Sequence, residues 1–552
     1  LSGVLGLALA GALALPAGAV AAVAGPTGDN ASAPAGDSAI VNTKSGPVRG
    51  VVDKAYRRWQ GVPFAAPPVG DLRWKAPQPV KPWQAPLDAT QPRAQCEQGG
   101  LMLGGHAAPA QPTTSEDCLY LNVTVPADAS PKHPLPVMFW THGGAYVIGS
   151  GSEYDARRLA TTGHVVVVTI NYRLGVFGFL GLKGLADSGD FGLEDQQAAL
   201  RWTRENIAAF GGDAHNVTMF GESAGGFSTC AQLTSPAADK LIDKAIAHSG
   251  SCSTENYTDP VTPGSGSATD VFQPLDQVQR SGTEVASSQH CDDAATAVDC
   301  LRKVSADTLL NATSSRYWAP AYNTPTLPEK PLTALKKHHF HHVPIILGTN
   351  QDEGRLFVGL SYDFNGQPIT ADQYGDLMRK AFGARADKIS AAYPLKDYAT
   401  PSLAWSRVAT DRSWTCPTLF GGDELLGPLV PTYSYEFNDA DAPSMFPFPK
   451  DFPPGATHAA ELQYLFDMGG QPSQFNADQQ KLANQMIGYW TRFARTGDPN
   501  GKGAPTWERF TKPTQTQSLA PKKGGIHQVN LGTEHKCELW KNSPASAVGS
   551  VR

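Results

Sequence analysis

Charge is scarce in this chain of 552 residues: 17% are Asp, Glu, Lys or Arg, while 41% are apolar. Its 45 Lys and Arg and 51 Asp and Glu leave a net charge of −6, with no long run of either sign. So little charge beside so much apolar surface excludes a disordered protein. The lack of a basic patch removes nucleic acid and anionic membrane surfaces from the expected partners. No Cys-x-x-Cys pair occurs among eight cysteines, which excludes a zinc finger and a thioredoxin-type redox site. Glycine-rich stretches such as Gly149-Ser150-Gly151 do not complete a Gly-x-Gly-x-x-Gly. His458-Ala459-Ala460-Glu461 lacks the second histidine of a zinc-peptidase helix. The tract His338-His339-Phe340-His341-His342 has no adjacent carboxylate or thiol and reads as a solvated loop. No cofactor and no metal site are therefore expected.

Charge is missing altogether from Leu1 to Gly28. Val4 to Leu15 is an apolar stretch, followed by Pro16 and small residues ending Ala22-Val23-Ala24. Residues 1–24 thus carry the apolar region and small-residue cleavage site of a secretory signal, its charged opening region expected to have been trimmed ahead of Leu1. A transmembrane anchor needs about 20 consecutive apolar residues, and Pro16 with the glycines interrupts this stretch. No stable membrane anchor is expected. Residues 25–38 read as a flexible linker, the fold as starting near Ala39, and residues 541–552 as a tail. An oxidising extracellular compartment fits eight cysteines, whose pairing the sequence alone does not give.

Val137 to Trp140 and Val165 to Asn171 are short, nearly unbroken apolar runs, as expected of strands covered on both faces. Between Glu194 and Phe210, the residues Ala199, Trp202, Ile207 and Phe210 share one helical face, and Gly211-Gly212 stop the helix. Val217 to Phe220, Ala245 to Ala247, Val343 to Leu347 and Thr432 to Phe437 read as further strands, with helix-compatible sequence between them. This alternation predicts an α/β fold with a mostly parallel central sheet and helices on both faces. No repeat and no polar linker divides residues 39–540, so one large domain with long insertions is expected.

Directly after the strand ending at Phe220 stands Gly221-Glu222-Ser223-Ala224-Gly225-Gly226, a Gly-x-Ser-x-Gly between a strand and a helix. A serine on such a sharp turn is strained, and side chains two residues to either side would collide with it. Attack by that serine creates an oxyanion, which needs backbone N–H donors already in place. His142-Gly143-Gly144-Ala145-Tyr146, after the strand Val137 to Trp140, is a loop of the type that supplies them. Gly144 and Ala145, with the N–H of Ala224, are the expected oxyanion donors, and His142 reads either as part of that motif or as a satisfied loop histidine.

Several blocks in order carry a family resemblance: WQGVPFAAPPVGDLRW (Trp59 to Trp74), SEDCLYLNV (Ser115 to Val123), NYRLGVFGF (Asn171 to Phe179), FGLEDQQAALRW (Phe191 to Trp202) and NIAAFGGDAHNVTMFGESAGG (Asn206 to Gly226). Over about Val41 to Trp540 the chain resembles the type B carboxylesterase family, which includes cholinesterases and fungal-type lipases on the α/β-hydrolase fold. The resemblance implies a secreted serine carboxylesterase that forms an acyl-enzyme on Ser223, with a small-molecule ester as substrate. Such folds supply their acid and base in the order Ser, Asp or Glu, His. His458, in GATHAAELQYLF, is similar to the family's histidine and is the expected base; Glu353, in GTNQDEG, matches the family's acid, with Asp352 as local rival. A histidine base of this kind implies activity falling below roughly pH 6 to 7.

The resemblance further gives Ser249 a supporting hydrogen bond and Glu222 an electrostatic role. It pairs Arg73 with Glu116, Arg173 with Asp195, and, as disulfides, Cys96 with Cys118, Cys291 with Cys300 and Cys416 with Cys537. Cys230 and Cys252 are left either bonded to each other or as buried thiols. Asp190 stands where the family usually has Asn. Glu97 to Asp117 contains no aromatic residue, which argues against a choline-ester specialist, since those bind quaternary ammonium on a tryptophan of this loop. Short to medium acyl esters are the expected substrates. A lipase for longer-chain acylglycerols is the alternative, with Leu101, Met102 and Leu103 on a candidate lid. A non-catalytic adhesion protein and a serine peptidase are further alternatives, the first opposed by the presence of Ser223, Glu353 and His458 together. Nothing in the sequence sets an oligomeric state.

Overall fold

Valine- and isoleucine-rich runs with apolar residues at consecutive positions must be covered on both faces, and the fold does this with one large sheet. The computed structural model describes residues 39–99, 113–254, 270–314 and 316–541. The expected leader and linker, the candidate lid at Leu101 to Leu103 and the tail beyond residue 541 lie outside them.

Eleven strands form the sheet: β1 (Val51–Val52), β2 (Tyr56–Pro63), β3 (Tyr120–Pro126), β4 (Leu135–Thr141), β5 (Val166–Ile170), β6 (Gly212–Glu222), β7 (Lys244–His248), β8 (Ile345–Asn350), β9 (Thr432–Phe437), β10 (Thr516–Leu519) and β11 (Ile526–Val529). Their spatial order is β11-β10-β9-β8-β7-β6-β4-β5-β3-β2-β1. From β5 across to β10 every pairing is parallel. The two margins are antiparallel. Successive side chains leave a strand on opposite faces, and the core divides accordingly. Val137, Phe139, Val166, Val168 and Met219 join one apolar cluster, whereas Met138, Trp140, Val167 and Phe220 join another.

Helices cover the sheet: α1 (Phe191–Asn206), α2 (Ala224–Thr234), α3 (Gly354–Ser361), α4 (Pro401–Ala409) and α5 (Ala477–Thr496). The last begins with a capping box between Asn476 and Gln479 and ends at Gly497, whose φ of 80° suits a residue without Cβ. Its residues Leu482, Met486, Trp490 and Phe493 repeat at helical spacing and enter the second cluster. A third cluster gathers α3, α4 and the π-helical turn Thr418–Asp423, while Trp414 of the preceding π-helical turn Thr410–Thr415 joins the first cluster.

Several expected boundaries shift; the strand read from Val217 to Phe220, for one, spans Gly212–Glu222. The helix read from Glu194 to Phe210 starts at Phe191 and tightens into a 3-10 turn at Ile207–Phe210 before Gly211, at φ 90°. The strand read from Val343 begins at Ile345 and runs on through Gly348, Thr349 and Asn350. Those residues are polar or small, yet they continue the parallel ladder with β9.

All four disulfides are formed: Cys96–Cys118, Cys291–Cys300, Cys416–Cys537 and, of the two alternatives left open, a bonded Cys230–Cys252. The two expected ion pairs also form. Arg73 grips Glu116 through Nε and Nη2 at 2.6 and 2.5 Å, and buried Arg173 grips Asp195 through the same atoms at 2.8 and 2.8 Å. Among the described residues no helix is long and apolar enough to cross a membrane.

Candidate active site

From β4 the chain crosses to β5 on one side and then to β6 on the other, so a crevice opens where the winding reverses, at the carboxyl ends of these strands. Gly144, Ala145, Ser223, Ser249 and Glu353 follow strands that end there, Glu222 closes β6, and His458 sits on the long loop after β9. Ser223 follows β6 with φ 54° and ψ −119°, a strained conformation for a residue with a side chain. Crowding explains the flanking glycines. A Cβ on Gly225 would stand 2.0 Å from the Thr141 carbonyl oxygen, and one on Gly221 would stand 2.5 Å from backbone atoms of Gly225. The Ser223 N–H is tied to the carbonyl of His248 at 3.0 Å, which fixes the turn against β7.

The loop after β4 holds Gly144, Ala145 and Tyr146 at φ values of 104°, 54° and 62°. The Gly144 carbonyl accepts from the N–H groups of Val147 and Ile148 at 2.9 and 3.0 Å, so the loop closes as a tight turn through this left-handed stretch. Among the described residues the N–H groups of Gly144, Ala145 and Ala224 have no hydrogen-bond partner. Ala224 opens α2, where the first amides have no helical acceptor. His142 is wholly buried, stacks on Tyr172 at 4.4 Å and sets its Nδ1 2.8 Å from the Gly143 carbonyl oxygen. Burial lowers its imidazole to about 4, so it serves as a packing element of the loop.

Glu353, just after β8, is fully buried. Its Oε1 accepts from Ser249 Oγ at 2.5 Å and from the Asn350 N–H at 2.8 Å; its Oε2 meets His458 Nδ1 at 2.5 Å. Asp352 faces elsewhere: it accepts from the Ala456 N–H at 3.1 Å and pairs with Arg355 at 2.9 Å, bracing the loop that carries His458. The geometry thus separates the two acids that the sequence left as rivals. On its other side His458 sets Nε2 3.0 Å from Glu222 Oε1 rather than bonding Ser223 Oγ.

Three carboxylates, Glu222, Glu353 and Glu461, surround this one imidazole. Burial alone would lower the His458 pKa, but Glu222 and Glu353, and then Glu461, outweigh it and push it up to about 9. Burial pushes Glu222 up to about 8, with His458 opposing and Glu461 and Glu353 adding to the rise. The two groups face each other closely enough to titrate as a pair. These contacts raise the pH at which His458 gives up its proton.

Reading the sequence for motifs missed five residues that complete the site: Asn350, Glu461, Phe357, Trp414 and Phe227. Asn350 donates its side-chain N–H to the Thr457 carbonyl at 2.7 Å and to Glu461 Oε2 at 2.6 Å, locking the acid loop to the histidine loop. Phe357 and Trp414 set their rings 5.0 and 4.6 Å from that of His458 and stack on each other at 5.2 Å. Phe227 extends this wall, 6.0 Å from Trp414. Asn350 lies inside the quoted GTNQDEG block and Glu461 three residues after His458, so position was the available signal; for Trp414 there was none. Asp190 accepts from the Ala321 N–H at 2.9 Å and the Thr324 hydroxyl at 2.6 Å, which supplies the hydrogen bonds its substitution for Asn had put in question. In the histidine tract His339 contacts Glu329 at 2.8 Å and His341 the Ser235 carbonyl at 2.8 Å.

The switch-point crevice, the strained serine turn and the strand order together define an α/β-hydrolase fold. The carboxylesterase family model matches residues 37–540. Para-nitrobenzyl esterase of Bacillus subtilis is 35% identical over 486 residues, covering 86% of this chain and 93% of that protein. Acylcarnitine hydrolase of Mus musculus is 34% identical, with 85% of each chain covered. A solved thermophilic PNB esterase superposes with a TM-score of 0.74 at 31% identity, covering 91% of this chain and 99% of its own. The chain belongs to the carboxylesterase family and is a carboxylic ester hydrolase.

Proposed function

We propose that this hydrolase works through Ser223 as nucleophile, His458 as general base and Glu353 as the acid that orients it. The observation that carries this reading is the chain of contacts from Ser249 Oγ through Glu353 to His458 Nδ1, ending beside the strained Ser223 turn. Ser223 Oγ bonds to the ester carbonyl carbon as its proton passes to His458 Nε2. The oxyanion takes hydrogen bonds from the unpartnered amides of Gly144, Ala145 and Ala224. The C–O bond then breaks and the alcohol leaves with the proton held on His458. Water, deprotonated by the same imidazole, releases the acid and restores Ser223. To begin, the ring turns its Nε2 from Glu222 toward Ser223; catalytic hydrogen bonds are commonly loose until substrate arrives.

The substrates we assign are neutral esters of short to medium acyl chain. The aromatic wall of Phe227, Trp414 and Phe357 beside His458 supports an apolar binding surface for the acyl group. Relatives bear the names para-nitrobenzyl esterase and acylcarnitine hydrolase, both of which denote ester hydrolysis. One catalytic domain over residues 39–540 and export from the cytoplasm complete the reading. The family match over residues 37–540 supports the first, and the charge-free leader with four disulfides supports the second. A fluorophosphonate label followed by peptide mass mapping tests the nucleophile: the adduct is expected on Ser223, and an active enzyme labelled elsewhere refutes the assignment. A series of nitrophenyl esters tests chain length, and kcat/KM still rising beyond about ten acyl carbons would favour the lipase alternative.

A further inference from the structure

A second histidine lies directly behind the site. His248 ends β7, is fully buried, and immediately precedes Ser249. Its carbonyl oxygen holds the Ser223 N–H at 3.0 Å, so the nucleophile turn and Glu353's serine partner both hang from this residue. The imidazole accepts the indole N–H of Trp490 on Nε2 at 3.0 Å, which puts the ring's own proton on Nδ1. Nδ1–H then donates to Tyr435 Oη at 2.9 Å, and Nδ1 lies 3.6 Å from Glu461 Oε1. Glu461 is fully buried; its Oε2 is held by Asn350, while Oε1 has no hydrogen-bond partner. Trp140 and Phe220 close the remaining sides with rings 6.2 and 6.4 Å from the imidazole. The titratable groups facing His248 are therefore Tyr435 and Glu461, and those facing His458 are Glu222, Glu353 and Glu461. Glu461 is common to both.

We infer that His248 is a positioning residue for ester hydrolysis, acting through Glu461: its Nδ1–H dipole lies against this buried carboxylate and helps hold it behind the His458–Glu353 pair, and its carbonyl fixes the Ser223 turn. An apolar replacement removes that dipole from beside Glu461 Oε1, so the carboxylate is held less firmly and its field favours the protonated His458 less.

This rests on the triad proposed above, and the experiment separates the two. Ser223 labelling by fluorophosphonate in the parent tests the triad alone. For His248, the acid limb of the kcat/KM–pH profile is measured for parent, His248→Phe, Glu461→Gln and the double variant, with a thermal melt of each. His248→Phe is expected to move the limb about one pH unit lower, Glu461→Gln to move it the same way, and the double variant to match Glu461→Gln alone. An unmoved limb in folded His248→Phe, or an equal further displacement in the Glu461→Gln background, overturns the inference. Should His248→Phe fail to fold, Trp490→Phe removes the indole that fixes the tautomer. The same downward displacement is then expected, and an unchanged profile overturns the inference.

Discussion

Ser249 offers the cleanest test of how the acid is held. Its hydroxyl is fully buried and reaches Glu353 Oε1 at 2.5 Å, sharing that oxygen with the Asn350 N–H at 2.8 Å. Ser249→Ala deletes one of the two donors to a buried carboxylate and leaves the other, so the loop keeps its anchor. A hydrogen bond to a charged group nets about 1.5–3 kcal/mol. If the carboxylate's orientation matters fully in the transition state, that predicts a loss of roughly 10- to 100-fold in kcat/KM at about 1.4 kcal/mol per tenfold. Backbone strain provides a control: Ser249 sits at φ 45°, where alanine keeps a penalty of about 1 kcal/mol that glycine relieves. Ser249→Gly should therefore melt differently from Ser249→Ala yet lose the same activity. Nitrophenyl acetate turnover, read with a thermal melt of each variant, decides the matter. A loss below twofold in Ser249→Ala, or a Gly variant restored to parent activity, would refute the reasoning.

Replacing Glu222 by Gln removes the carboxylate 3.0 Å from His458 Nε2, so the acid limb, expected above pH 6.5 in the parent, should move lower by one unit or more; a limb moving upward contradicts the electrostatics. Gly225→Ala places a Cβ 2.0 Å from the Thr141 carbonyl oxygen, a backbone clash with no flexible group to yield; activity and fluorophosphonate labelling should both vanish, and retained labelling would show that the turn can relax. Far from the reacting atoms, buried His535 meets Asp411 Oδ1 at 2.6 Å and also contacts Glu436. Burial and Arg407 lower its pKa, but the two carboxylates prevail and raise it to about 9. Its folded value exceeds the unfolded one, so this stabilisation is full below about pH 6.5 and is lost as pH rises through about 9, on the order of 3 kcal/mol in all. Melting temperature should fall over that window in the parent, and His535→Asn should flatten the fall.

Strands such as Val137 to Trp140 and Val165 to Asn171 were legible because every position along them is buried, so composition alone betrays them. The marginal strands Tyr56–Pro63 and Thr516–Leu519 were not, since Arg57, Arg58, Thr516 and Gln517 belong to them and only pairing with a neighbour makes such residues extended. The start of β8 was misplaced for a related reason: Pro344 has no N–H for the ladder, and Thr349 and Asn350 enter it through β9. The serine turn was legible because its glycines answer a local crowding that sequence neighbours impose. Glu461 and His248 were not, because a buried polar residue acquires its role from partners that lie far away in the chain, such as Asn350 and Trp490.

Residue order therefore determined the apolar strands, the glycines of the nucleophile turn and the family to which the chain belongs. These follow from local sterics and burial, which a run of neighbouring residues encodes. Tertiary structure decided which acid faces His458, that Cys230 pairs with Cys252, and that three carboxylates converge on one imidazole. Most of those outcomes depend on groups far apart in the chain, such as Glu222, Glu353 and His458, which only the folded sheet brings within reach of one another.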